Sequence, residues 1–465
     1  MTRRMNIART GATVALVGLG AGALGASAAF AGGFAPREQS ALAQGSSFAG
    51  AAASTGLSAM FWNSAAVTNQ TGTNADSNIT AILPTADLTA QPGSTYYGKG
   101  FNDSTDIGRN AYVPSSFLNY QLKNFDPRMF IGLGINAPFG LRTEPDRNWD
   151  GSPIAGSTRL FTVNFNPTVG YKFSDQFSFG IGAQMEYAKG VFKQATAIPA
   201  LGGTPNSPSS QFEGTDFAFG ATAGIMYTPT AATRIGLGWR SALTHELDGR
   251  FSTSGSVIPV GVVGGVGATA FVNNGFNNGV LSRVELRLPD IVTLSVNQAI
   301  ATNTRVLGTV EWTNWSRFGG LEVVSTSPGN AITKFGPTNP TGAVAAGQSI
   351  VKINAPWQDG WFFSGGLEYD VSPQLTVRAG GAYEISPITS ATARLASIPD
   401  ANRIWASLGF SYNVNAATTV DFAYSHLFVD SAPINQVSPA GVTLLANADS
   451  SIDIISLGLR MKLGQ

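Results

Sequence analysis

Four stretches of this chain alternate with a period of two. Phe177, Phe179, Ile181, Ala183, Met185 and Tyr187 fall on one face, and Ser178, Gly180, Gly182, Gln184 and Glu186 on the other. Residues 217–227, 375–385 and 403–412 repeat the pattern. A helix cannot hold a period of two, whereas an extended strand has no other. The apolar face is continuous, and many stretches end in an aromatic residue, such as Tyr171, Tyr187, Tyr227, Trp361, Tyr369 and Tyr412. A soluble sheet with one wet face would turn polar side chains outward. An apolar outer band edged by aromatic girdles belongs to a β-barrel in lipid.

Composition closes the other routes. Charged residues are 12% of the chain, about half of the roughly 25% usual in soluble domains. There is no Cys, which removes disulfide scaffolds, thiolate metal sites and thiol enzymes. Zero net charge gives nucleic acid no electrostatic purchase, so no such partner is expected. The longest apolar run after the N-terminus is 257–272, and Pro259, Gly261, Gly264, Gly265 and Gly267 interrupt it. A spanning helix needs about 18 apolar residues or more. Only helices and closed barrels satisfy every backbone group in lipid, so the barrel is what remains.

The N-terminus reads as an export signal. Arg3, Arg4 and Arg9 precede the apolar stretch 11–29, and Ala29-Phe30-Ala31 fits a cleavage site. Residues 1–31 are therefore assigned to a signal peptide. Beyond them, tight links near 124–127, 174–176, 229–232, 301–303, 372–374 and 413–416 alternate with long links near 91–113, 140–157, 192–213, 253–280, 325–355, 387–401 and 430–450. Short periplasmic turns and long outer loops are the outer-membrane habit, and about fourteen strands fit between them. The expected fold is all-β, a transmembrane antiparallel barrel over 77–465. Inward positions carry many glycines, among them Gly132, Gly134, Gly180, Gly238, Gly380 and Gly409. Fourteen strands enclose more space than side chains fill. Residues 32–76, rich in Ala, Ser and Gly, are the expected plug.

The residues also resemble a family. Gly33-Phe34, Glu38, Ser40-Ala41 and Asn63 at the N-terminus, Ala137-Pro138-Phe139-Gly140-Leu141 with Trp149, Asn166-Pro167, Leu288-Pro289-Asp290, and Trp315-Ser316-Arg317-Phe318 occur in its order. The densest match is Trp357-Gln358-Asp359-Gly360-Trp361, followed by Arg378-Ala379-Gly380 and Ile398-Pro399-Asp400. Over nearly all of the chain beyond the signal peptide this is similar to the FadL outer-membrane transporters of long-chain fatty acids and hydrocarbons. Departures are Asn63-Ser64-Ala65, where the family usually has Asn-Pro-Ala, and a terminal Leu463-Gly464-Gln465 without the aromatic residue common there.

The resemblance implies a route. A hydrophobic ligand enters a groove between outer loops, where 257–272 is an apolar patch, and moves to a pocket beside the hatch N-terminus at Phe34. It leaves sideways at a kinked third strand, where Gly132, Gly134 and Pro138 favour bulges. Asn63 is placed in the hatch. A buried fatty carboxylate needs a cation. Arg378 is one candidate, with a salt bridge to Glu384 or Glu368 as its alternative role. Lys189 is another, provided a bulge turns it inward. Gln358 stands, as aligned, where the family has a second basic residue, which favours a neutral hydrocarbon.

The expected location is the outer membrane of a Gram-negative bacterium, as a monomer in contact with outer-membrane lipid and lipopolysaccharide. No cofactor and no metal are expected: His245 and His426 are the only histidines and are far apart in the chain. No enzyme is expected either, since Ser425-His426 are adjacent strand residues and point to opposite faces. A general porin or a structural barrel is the competing function.

Overall fold

The computed structural model describes residues 32–195, 209–254, 262–263, 266–267, 279–326, 346–438 and 441–464. The signal peptide lies outside the described residues. So does most of 257–272, of which Val262–Val263 pairs with Val266–Gly267.

Fourteen antiparallel staves close on themselves. They are β1 (Thr73–Ala90), β2 (Ala111–Gln121), β3 (Met129–Asn136, continued at Gly140–Thr143), β4 (Thr158–Lys172), β5 (Phe177–Ala195), β6 (Ser209–Thr230) and β7 (Thr233–Arg240 and Leu243–Ser254). They continue with β8 (Val280–Leu288 and Ile291–Ala301), β9 (Thr304–Thr313 and Gly320–Ser325), β10 (Ser349–Asn354 and Gly360–Asp370), β11 (Leu375–Ile385), β12 (Arg403–Asn415), β13 (Thr418–Val429 and Ala432–Val437) and β14 (Thr443–Gly464). The seam pairs β14 with β1, from Thr73↔Gly464 to Ala90↔Ala446. No edge is left for lipid to meet.

The alternation sorts the side chains as predicted. Ile181, Phe219 and Leu408 are 60%, 71% and 62% exposed, while Ser178, Thr222 and Ser407, which point the other way, are buried. Ten residues separate Phe177 from Tyr187. At about 3.4 Å each and a tilt of about 40°, they rise roughly 26 Å, the height of the outer apolar band.

The short turns fall where the sequence puts them. The outer ends differ. Residues 430–450 were expected to be a long loop, but Ala432–Val437 pairs with the first residues of β14. The β5–β6 ladder likewise extends to Ala195↔Ser209. Beyond the bilayer the outward face meets water and needs no apolar residues, so the apolar outer stripe ends while pairing continues.

Residues 33–68 lie buried inside the barrel, apart from a small exposed bend near Thr55. They form single turns at Ala41–Gln44, Ala51–Ala53, Leu57–Phe61 and Ser64–Thr68. Ser40 caps the first, its hydroxyl accepting from the Ala43 N–H at 3.2 Å. The inner-wall glycines explain the fit. A Cβ on Gly238 would overlap the Trp62 carbonyl, and one on Gly380 would overlap the Ser46 carbonyl. The wall is bare where backbone leans on it.

Candidate functional site

At the top of this buried segment Phe34 sits in a cage of rings. Trp315, Phe318, Trp357 and Phe139 surround it, with centroids 4.6, 5.4, 6.0 and 6.4 Å away. The wall supplies them by leaving its plane. β9 breaks between Thr313 and Gly320, and β10 between Asn354 and Gly360. The detours turn Trp315, Phe318 and Trp357 inward, each 2% exposed or less. Trp357 is pinned by its indole N–H, which donates to the Ala393 carbonyl at 3.2 Å.

Above Phe34 opens a cavity of about 70 Å³. Phe192, Phe212, Phe251, Leu286, Val323 and Leu395 are among its walls. Apolar side chains dominate, and among the described residues Lys193, at the rim, is the one charged residue on its lining. A polar cleft adjoins it, bordered by Arg109, Arg147 and Glu144. Gly156, Lys193, Gln194 and Ser210 border both spaces.

Below Phe34 the chemistry changes. Arg37 is buried and holds Glu311 and Glu384 at 2.7 Å each. Burial works to lower its pKa, but the two carboxylates outweigh that and raise it. Burial pushes Glu38 up to about 7, against the pull of Arg37. One of its oxygens has no hydrogen-bond partner. Deeper, toward the short turns, an ion ladder crosses the inner wall. Arg305 pairs with Glu368 and Asp370, Arg378 with Glu368, and Arg460 with Asp421.

The predicted residues divide. Phe34 is at the inner end of the apolar cavity. Arg378 faces inward as its alternation requires. It is held by Glu368 at 2.5 Å and by the Ser411 hydroxyl at 2.6 Å, and it does not line the apolar cavity. The salt-bridge alternative with Glu368 is the one realised. Lys189 stays on the outer face, because the β5–β6 register runs unbroken through it, and it pairs with Glu213 at 2.7 Å. The bulge its role required is absent. Gln358 is exposed.

Asn63 is buried. Its side chain accepts from the Ala65 N–H at 3.0 Å and donates to the Ala52 and Ile225 carbonyls at 2.8 and 2.9 Å. Ser64, where the family has Pro, donates to the Thr222 hydroxyl at 2.8 Å, a bond Pro could not make. His245 lies between Asp216 and Glu186, and His426 beside Asp453 on the outer face. No group of three or more metal-ligating residues is found among the described residues. Arg37 and the Trp315–Trp357 cage escaped sequence reading. Alternation cannot register a strand that leaves the sheet. Three polar residues in a row, Arg37-Glu38-Gln39, were the available sign.

The third stave is broken as its composition suggests. β3 pairs with β4 at Asn136↔Asn164 and again at Gly140↔Phe161. Three residues, Ala137, Pro138 and Phe139, thus oppose two, Thr162 and Val163. This is a bulge. Residues 137–141 are all buried, so the strand dips inward. Gly132 and Gly134 lie below the break. A Cβ on Gly132 would crowd Val67 and Met60, and one on Gly134 the Phe117 ring.

The family model described as "Outer membrane protein transport protein (OMPP1/FadL/TodX)" matches residues 22–463. The chain belongs to that family. It is 27% identical over 364 residues to the long-chain fatty acid transport protein of Escherichia coli, spanning 74% of this chain and 75% of that one. It is 25% identical over 367 residues to outer membrane protein P1 of Haemophilus influenzae, spanning 73% and 71%. Two solved structures share the fold. A FadL homologue of Pseudomonas aeruginosa superposes with a TM-score of 0.75 at 22% identity, over 92% of this chain and 99% of that one. The toluene transporter TodX of Pseudomonas putida gives 0.66 at 15%, with the same coverage. This FadL-type chain is an outer-membrane β-barrel of a transport family.

Proposed function

We propose that the protein carries molecules with a long apolar body from the cell surface into the outer membrane. Long-chain fatty acids are the leading class. The ligand is captured at the outer loops, descends to the cavity above Phe34, and leaves sideways at the break in β3. The hatch that blocks the straight path, expected over residues 32–76, is taken as residues 32–72, because β1 already begins at Thr73. The observation that carries this reading is the cavity itself: apolar on nearly every side, floored by Phe34, and joined to a polar cleft. An acyl chain would lie in the apolar part. Its carboxylate would stay at the border with the polar cleft, which Arg109 and Arg147 edge. The names of the relatives agree with an oily cargo.

A second reading, a neutral hydrocarbon, is favoured by what the inner cavity lacks. Arg378 is held by Glu368, Lys189 stands outside, and Gln358 is neutral and exposed. In sequence, 196–208 and 255–278 contain no charged residue. Uptake of labelled oleate, hexadecane and toluene by cells with and without the protein tests both. Oleate uptake that depends on the protein and falls in Arg147→Gln supports the first reading. Uptake of only the neutral compounds supports the second. Equal uptake with and without the protein ends both, and a large open conductance in a planar bilayer would mark a porin instead.

A further inference from the structure

Around the break in β3 the backbone finds partners. Both groups of Ala137 bond the Gln39 side chain, at 2.9 and 3.3 Å. The Phe139 N–H donates to the Thr162 hydroxyl at 3.0 Å, and that hydroxyl donates to the Phe139 carbonyl at 2.6 Å. The Gly140 N–H donates to the Phe34 carbonyl at 3.0 Å.

The side chain just below the break is different. Asn136 is the last residue of β3 before it, faces inward and is 2% exposed. Neither its amide nitrogen nor its amide oxygen has a hydrogen-bond partner among the described residues. Its cross-strand neighbour on β4 is Asn164, which faces the same way and is buried as well. The Asn164 nitrogen donates to Gln184 Oε1 at 3.1 Å and to Glu186 Oε2 at 3.4 Å. Both of those atoms are acceptors, so the orientation of the amide is fixed. The Asn164 oxygen turns the other way, and it too has no partner among the described residues. Buried polar groups left in this state are costly, and nearly all native ones find a partner.

The three atoms define what would satisfy them. One is a donor nitrogen, and two are acceptor oxygens. A carboxylate can only accept. It would leave both oxygens empty and would stand near Glu186, whose like charge repels it. A neutral carboxylic acid has both halves. Its carbonyl accepts from the Asn136 nitrogen while its hydroxyl donates to an amide oxygen, the cyclic pairing of an acid with an amide. A neutral alcohol makes the same two bonds with one oxygen.

We propose that Asn136 and Asn164 bind the head group of a fatty acid in its neutral, protonated form as it reaches the break in β3. The inference rests on the sideways route proposed above. It adds where the head group goes after the polar cleft, and in which state. The carboxylate takes a proton from hydronium in the cleft, and the acid then descends without needing a cation. Neither Arg378, held by Glu368, nor Lys189, held by Glu213, has to supply one.

Two measurements test it. Uptake of labelled oleate, oleyl alcohol, hexadecane and octadecyl sulfonate is compared in cells with the native barrel, with Asn136→Leu and with no barrel. Leucine is close to asparagine in shape and makes no hydrogen bond. Asn136→Leu should lower uptake of oleate and oleyl alcohol about tenfold and leave hexadecane unchanged. The sulfonate, which stays charged, should not be carried. Equal oleate uptake by the native protein and the variant overturns the proposal, as does sulfonate uptake at the oleate rate. If the native protein exceeds cells lacking the barrel with none of the probes, the transport reading has failed instead. The second measurement needs no transport. Infrared difference spectra of purified native protein with carboxyl-labelled oleate, less the same detergent without protein, should show the carbonyl band of a protonated acid. Asn136→Leu should lose that band. A carboxylate band alone in the native protein means that water fills the amide site, and overturns the proposal whether or not the variant folds.

Discussion

Phe34 and Trp315 meet edge to face, with ring centroids 4.6 Å apart, one from the N-terminal segment and one from a detour of the barrel wall. The pair joins the floor of the apolar cavity to the wall. Removing the Phe34 ring takes away both the contact and the floor. Phe34→Ala should weaken oleate binding about 10–30-fold, an effect of about 1.4–2 kcal/mol. Phe34→Leu should recover most of it. Trp emission of the purified protein, titrated with oleate, is the measurement, and equal affinity in Phe34→Ala would remove Phe34 from the site.

Among the described residues Arg37 is the one cation paired with Glu311, and it shares Glu384 with Arg403. Truncating one partner of a buried pair leaves the other charged and unmatched, at about 3–5 kcal/mol. Arg37→Met should therefore loosen the N-terminal segment and expose it to protease from the periplasmic side. Adding Glu311→Gln and Glu384→Gln should restore much of the resistance. Barrel melting temperature should move less than protease sensitivity.

Glu38 introduces a pH dependence of definite sign. Its pKa rises on folding, from the ordinary carboxylate range to about 7, because burial disfavours the charged form. The folded segment thus binds a proton that the released segment gives up. Its stability is greatest below the unfolded pKa and falls as pH rises through 7, by an amount on the order of 3 kcal/mol. Hydrogen-exchange protection of residues 33–45, corrected for the intrinsic rise of exchange with pH, should fall between pH 5 and 7. In Glu38→Gln that dependence should vanish. A native profile flat over this range contradicts the assignment.

Gly238 and Gly380 face carbonyl oxygens of Trp62 and Ser46. Alanine at either place forces backbone from backbone, an overpacking cost of about 1–3 kcal/mol. Gly238→Ala and Gly380→Ala should each raise protease sensitivity of the N-terminal segment. Gly365, whose Cβ would meet nothing within 4 Å, is the matched control. A Gly365→Ala variant as sensitive as the other two would mean that close approach is not the reason for these glycines.

The barrel was legible because the bilayer imposes one rule on every residue that touches it. Phe177 through Tyr187 could be assigned to faces by counting, and the faces hold. Arg378 was rightly placed inside, and Lys189 rightly placed outside by simple alternation. What failed was the bulge invoked to bring Lys189 in. The outer hairpins were cut short, since in Ser209-Ser210-Gln211-Phe212-Glu213 the outward residues are polar and no apolar outer stripe marks the strand. The ring cage was illegible for another reason. Trp315 and Trp357 are 42 positions apart and meet only because two neighbouring staves buckle at the same height. Nothing local records that coincidence. The break in β3 was readable from Gly132, Gly134 and Pro138. What fills it was not: the Gln39 side chain, which bonds both the N–H and the carbonyl of Ala137, lies about a hundred residues earlier in a stretch without periodicity.

The rungs Arg305, Glu368, Arg378, Ser411, Asp421 and Arg460 form a continuous charged shelf beneath the buried N-terminal segment. For an oily passenger this shelf is a forbidden floor. Descending would mean stripping water and partners from several ions at once, whereas the hydrocarbon of the bilayer begins one strand's width away at the level of Ala137. Gravity has no role here, but solubility does: the tube is greasy at the top, salty at the bottom and thin at one side.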